Sequence, residues 1–289
     1  MLAYVLVATA ALCWSGNHIL GRAISGHVPP IAISTLRWAV PAVLLLPFAI
    51  PHLRRDASFI RAHLGIIFFL AVSGGAIFGA LQYVGLQYTT AINVSVLNSV
   101  APVLIVAAGM ALFGDAVGLR QIAGILTSLI GVLAIVGRGD PRVIAQLDIA
   151  WGDLIIFFNM GIFAIYSAYL RLRPKIHWLS FTFCMAAISA LVSAPAMAIE
   201  HFAGHRLQLT WETLAALAYV CIFPSVVATV AWNRGVDLIG PGRAGAMLHL
   251  IALYSAVLAS LLLGERLLPF HFVGFALILM GVWMAAQKG

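Results

Sequence analysis

The sequence predicts an all-α integral membrane protein: ten transmembrane helices arranged as two inverted five-helix repeats. Three observations predict it. Hydrophobic residues make up 63% of the 289 positions and charged residues only 9%, far more apolar surface than a soluble domain has use for. Apolar runs near twenty residues long recur along the whole chain, each long enough as a helix to cross about 30 Å of hydrocarbon. The chain also matches itself at a fixed offset. A β-barrel is excluded, because barrel strands alternate every second residue over about ten positions, whereas these runs are apolar throughout.

The expected spans are 2–21, 30–50, 64–84, 91–113, 118–137, 150–170, 178–199, 212–233, 241–263 and 268–287. The first is rich in small residues, like a signal peptide. It is kept as a span because no basic residue precedes it and Asn17 and His18 follow within the same helix. The second holds Arg37 and Pro41, and the third the pair Gly74 and Gly75. The fourth holds Asn98 and Pro102, and the eighth Pro224. Helix breakers at such depths are tolerated mainly where the freed backbone faces protein or a cavity. Cys13, Cys184 and Cys221 all lie inside apolar spans and read as packing residues.

At an offset of 150 residues Gly85 falls on Gly235, Gly114 on Gly264, Asp115 on Glu265, Gly124 on Gly274 and Gly131 on Gly281. Gly74 falls on Pro224, and at an offset of 149 Arg22 falls on Arg171. The chain therefore reads as two copies of one unit, 1–140 and 150–289. Five helices is an odd number, so the second copy enters the membrane from the opposite side. Asp115 and Glu265 are expected to begin the fifth helix of each unit, where the helix dipole favours an acid.

With the N-terminus inside, ten basic residues (Arg54, Arg55, Arg61, Arg120, Arg171, Arg173, Lys175, Arg234, Arg243 and Lys288) fall on the cytoplasmic side. Five (Arg22, Arg138, Arg142, Arg206 and Arg266) fall outside. Both termini are thus expected in the cytoplasm, in a bacterial-type inner membrane. The net charge of +7 reads as contact with anionic lipid; the basic stripe with interleaved aromatics that a nucleic-acid partner would need is absent.

The chain resembles the drug/metabolite transporter superfamily, specifically its EamA-type ten-helix exporters. The resemblance rests on "ALCWSGNHILGRAISGHVPP" with "STLRWAVPAVLLLPF", on "GLQYTTAINVSVLNSVAPVLIVAAGMALFGD", and on "GPGRAGAMLHLIALYSAVLASLLLGERL" with "GFALILMGV". It implies export of amino acids or related metabolites, with the first, third and fourth helices of each unit lining a cavity and the fifth outside. The YddG-type amino-acid exporters are one candidate subgroup. The nine acids fall in loops or at helix ends, unlike the buried glutamate of the superfamily's four-helix multidrug members, which argues against drug-cation antiport.

The candidate substrate site is read from helix faces. Trp14, Asn17 and His18 share one face of the first helix, and Asn159, Phe163 and Tyr166 share one face of the sixth. Gly75, Phe78, Gly79 and Gln82 share a face of the third, where the two glycines also fit a packing seam. Asn98 and His249 complete the set; His249 is either a neutral histidine bonded to a neighbouring helix or a proton relay. Arg37 is either bonded to helix-end carbonyls or attracts carboxylates. Rings beside amides favour hydrophobic or aromatic amino acids as substrate, exported by alternating access from a monomer without cofactor or metal. Other small metabolites such as nucleosides, sugars or drugs are the alternative substrates. An intramembrane enzyme built on Ser73 and His249 lacks a GxS motif and a further supporting group. His201, His205 and Glu200 resemble a metal site only superficially, since Gly204 interrupts their helix.

Overall fold

The structure, a computed structural model, describes residues 1–23, 28–208, 210–264 and 266–287, with the side chains at 18, 19, 21–23, 91, 92 and 263 outside that description. The described residues form helices and no strand. In chain order the long helices are α1 (Leu2–Ala23), α2 (Pro30–Ala62), α3 (Leu64–Gly85), α4 (Asn93–Phe113), α5 (Leu119–Val136), α6 (Trp151–Leu172), α7 (Trp178–Phe202), α8 (Trp211–Ile239), α9 (Pro241–Leu262) and α10 (Pro269–Ala286). Among the described residues α2 to α10 are long and apolar enough to cross a bilayer, and α1 adds a shorter apolar stretch, Leu2–Asn17.

Two ends differ from the sequence expectation. α2 runs on past residue 50 to Ala62, and α8 past 233 to Ile239. The α2 extension is polar and basic, whereas that of α8 balances Arg234 against Asp237; both continue as helix where loops were expected, so Asp56 and Asp237 sit on helices. The outward faces are apolar: Val43, Leu44 and Phe48 on α2, Leu126 and Ile130 on α5, and Val273, Leu279 and Trp283 on α10 are all exposed. A protein in water would bury such residues; in hydrocarbon they are the solvated surface.

Contacts between helices follow an exchange pattern. α1 packs along α8 and α9, while α6 packs along α3 and α4; α2 pairs with α7, and α5 with α10. The α5–α10 pair is held by glycine. A β-carbon on Gly124 would stand 2.5 Å from the Gly281 carbonyl oxygen, and one on Gly131 2.8 Å from that of Gly274, so only hydrogen fits between these backbones. The last turns of α4 and α9 end alike, on Gly114 (φ 67°) and Gly264 (φ 69°) in the left-handed region.

The breakers do local work. α3 widens into a π turn at Val72–Ile77 and α8 into another at Phe223–Val227, one at the double glycine and one at Pro224. Such turns release carbonyls from the helix ladder, and side chains take them up: Trp38 Nε1 donates to Gly75 at 3.2 Å, Ser189 to Ala71 at 2.8 Å, and Trp14 Nε1 to Pro224 at 3.2 Å. α4 breaks at Ser99–Val100 and α9 tightens to a 3₁₀ turn at Met247–His249.

Asp115 corrects an expectation. It lies four residues before α5 begins and does not cap it; instead it makes a two-pronged ion pair with Arg171 at the end of α6, one prong at 2.7 Å. Glu265 lies outside the described residues. Asp153 corrects another: it stands at the start of α6 as expected, but it is buried. It accepts from Thr89 Oγ1, from Asn93 Nδ2 at 2.7 Å and from the Ala150 N–H at 2.8 Å, tying α6 to the α3–α4 connection.

Candidate functional site

Four rings meet where α1, α3, α6 and α8 come together. Trp14 meets Phe163 edge-on with centroids 6.1 Å apart and Trp232 at 5.6 Å, and Phe163 lies 4.9 Å from Phe78. Tyr166 continues the stack at 5.9 Å from Phe163, its ring packed on Gly74. These residues, with Arg37, Trp38 and Thr229, enclose a void of about 20 Å³, room for about one water molecule.

Polar pairs bracket the rings. Tyr83 donates its hydroxyl to Asn17 Oδ1 at 3.1 Å, and Tyr166 donates its hydroxyl to Asn233 Oδ1 at 2.6 Å. Tyr83 stands two residues from the Gly85 end of α3, whereas Tyr166 packs against Gly74 in the middle of that helix, so the two bonds lie at different depths of the bundle. Asn159 Nδ2 donates to Gln82 Oε1 and to the Phe78 carbonyl, both at 3.1 Å. Arg37 is buried, and its Nε donates to Ser225 Oγ at 3.0 Å.

Beyond Tyr166 and Asn233 a cavity of about 930 Å³ opens. Val236 and Asp237, one turn from Asn233, are in its wall, with Arg171, Arg173, Lys175, Arg234 and Arg243. Asp115 and Asp237 are the acids there, paired with Arg171 and with Arg173. The bond from Arg171 holds the Asp115 carboxyl below its ordinary range. His177, stacked 3.6 Å from His52 next to this face, has its basicity lowered by burial and by that neighbour. The vestibule is thus net positive, and it shares no lining residue with the aromatic void.

Of the residues expected from sequence, Trp14, Phe78, Phe163 and Tyr166 line the void. Asn17, Gln82 and Asn159 sit beside it, in hydrogen bonds. Gly75 and Gly79 do not line it; they face Ser189 of α7 and Ser34 of α2, as a packing seam would. Asn98 and His249 are placed apart. Asn98 precedes the break in α4, its Oδ1 buried without a partner among the described residues. His249 Nε2 donates to the Ser99 carbonyl at 2.8 Å, and its Nδ1 lies 2.6 Å from the Ser128 hydroxyl. The side chain of His18 lies outside the described residues. Trp232, Asn233 and Tyr83 were missed. The signal was present, since the 150-residue offset carries Gln82 to Trp232 and Tyr83 to Asn233.

A helical bundle with a lipid-facing exterior, an aromatic centre and a polar vestibule on one side is the architecture of a membrane carrier. The sequence model of the EamA-like transporter family matches residues 1–137 and 150–287. The chain belongs to this family, within the drug/metabolite transporter superfamily, and is a membrane transporter. It is similar to an uncharacterized transporter of Archaeoglobus fulgidus, 26% identical over 99% of this chain and 97% of the relative. It is also similar to the uncharacterized transporter YyaM of Bacillus subtilis, 24% identical over 98% and 93%. A solved structure described only as a crystal structure of a protein shares the fold, with a TM-score of 0.76 at 19% identity over 98% of this chain and 96% of that one.

Proposed function

We propose that the protein exports amino acids, hydrophobic or aromatic ones foremost, by alternating access through the aromatic centre. The moving parts are two inverted five-helix repeats, residues 1–140 and 150–289, in a bacterial-type inner membrane with both termini cytoplasmic. This reading sets the protein beside the YddG-type amino-acid exporters.

The observation that supports it is the pair of tyrosine–asparagine bonds. The 150-residue offset carries Tyr83 to Asn233, and the 149-residue offset carries Asn17 to Tyr166. The bond Tyr83–Asn17 therefore maps onto Tyr166–Asn233 with donor and acceptor exchanged. A central site reached alternately from two sides needs one closure on each, made of interactions weak enough to break thermally. A neutral hydrogen bond, worth about 0.5–1.5 kcal/mol net, meets that need. The Arg171–Asp115 and Arg173–Asp237 pairs reinforce the vestibule side. The exchange pattern of helix contacts, in which α1 meets α8 and α9 as α6 meets α3 and α4, supports the repeats.

The substrate class follows from the lining: rings to cover an apolar side chain, and Arg37 and Thr229 to meet polar ends, with the amides of Asn17, Gln82 and Asn159 next to them. Coupling is proposed as facilitated, because the buried Asp153 is consumed in stapling α6 and does not line the void. Flux assays in proteoliposomes with a panel of amino acids test the reading. Efflux of hydrophobic and aromatic amino acids is the expected result. Movement of sugars, nucleosides or lipophilic cations without any amino acid overturns it.

A further inference from the structure

Arg37 is buried at 6% exposure in α2, and no carboxylate among the described residues meets it. Among the described residues the ion pairs join Arg171 to Asp115 and Arg173 and Arg234 to Asp237. Its Nε is committed to Ser225 Oγ at 3.0 Å. Ser225 gives its own proton to the Val220 carbonyl at 2.8 Å, so its oxygen is turned toward Arg37 as an acceptor. The two terminal nitrogens of the guanidinium have no acceptor among the described residues, and the side chain lines the aromatic void. A charge held in a bilayer without a counter-charge is costly and marks a ligand or ion pathway by default. A neutral donor would satisfy Ser225 without that cost.

We propose that Arg37 is the carboxylate-binding residue of this site. The free fork of its guanidinium matches the two oxygens of a carboxylate, while Trp14, Phe163 and Trp232 cover an apolar or aromatic substituent. The site takes a monocarboxylate with such a substituent and discriminates against its amide. The inference rests on the proposed transport through the aromatic centre and narrows its substrate chemistry. The void of about 20 Å³ admits such a molecule only as the helices around it part, which moves Trp14 and Trp232 relative to each other and to Phe163. Ligand arrival is therefore readable in tryptophan fluorescence.

The test titrates the full-length protein in lipid nanodiscs with L-phenylalanine, 3-phenylpropionate and L-phenylalaninamide, following tryptophan emission. The expected result is that both acids bind at least about tenfold more tightly than the amide. Arg37→Gln should erase this preference and Arg37→Lys should restore part of it. Binding of the amide as tightly as the acids overturns the proposal, with no variant needed, as does an acid preference that survives in Arg37→Gln or a failure of both acids to bind. Arg37-dependent binding of 3-phenylpropionate without phenylalanine leaves the site standing and removes the amino-acid reading. Phenylalanine binding with no preference over its amide removes the site and leaves that reading intact.

Discussion

Tyr166→Phe keeps the ring that packs on Gly74 and Phe163 and deletes only the 2.6 Å bond to Asn233. Losing one buried neutral hydrogen bond shifts an opening equilibrium by about 0.5–1.5 kcal/mol, a factor of roughly two to ten. Hydrogen exchange read by mass spectrometry should rise at the vestibule ends of α6 and α8. Tyr83→Phe should raise it at the opposite ends of α1 and α3; rises at the same end in both variants would separate these bonds from gating. At the vestibule rim, Asp115 predicts a pH effect. Its carboxyl titrates below its ordinary 3.8 because Arg171 bonds the ionised form. The stabilisation is therefore complete above that ordinary value and is lost as pH falls through the lowered one. Asp115→Asn should lower the melting temperature at neutral pH and flatten its decline below about pH 4; an unchanged acid limb would show the pair to be inert. The residues around the void were legible in part because rings and amides recur every third or fourth position on α1 and α6. Trp232 and Asn233 were hidden because they close the expected span at 233, beside Arg234 and Asp237, where a polar residue reads as the membrane boundary; the internal offset is what singles them out.

At the scale of the element, the ten spans were readable because hydrocarbon imposes a length and a composition on any helix that crosses it. The π turns were not. Gly74 and Pro224 mark weak points, but whether the ladder kinks or widens depends on partners from distant helices, here Trp38, Ser189 and Trp14. The reach of α2 to Ala62 was equally invisible, since polarity marks the membrane boundary and says nothing about where the helix stops. The α5–α10 seam predicts sharp sensitivity. A β-carbon on Gly124 would also stand 2.6 Å from the Ala285 nitrogen, and both neighbours are backbone that cannot rotate away. Gly124→Ala should cost about 1–3 kcal/mol and lower the melting temperature in detergent. Gly65→Ala, with open space at its β-carbon, should match or slightly exceed wild type. Equal melting temperatures for the two variants would mean that the helices do not touch there.

For the whole molecule, the basic rim of the vestibule fixes an expectation of direction. Arg171, Arg173, Lys175, Arg234 and Arg243 come from separate segments yet gather at one cavity, and such a concentration belongs on the cytoplasmic side. Reporter fusions after Arg173 and after Arg243 should both read as cytoplasmic; an external reading at either would invert the proposed topology. The seam between α5 and α10 holds a further consequence. Gly124 meets Gly281 and Gly131 meets Gly274, and adding 150 to the first member of either pair gives the second member of the other. A contact that is returned unchanged when its two sides trade places is what a symmetric homodimer requires of its interface. The single chain thus carries, between its fifth and tenth helices, a seam with the two-fold form by which separate copies join in a homodimer.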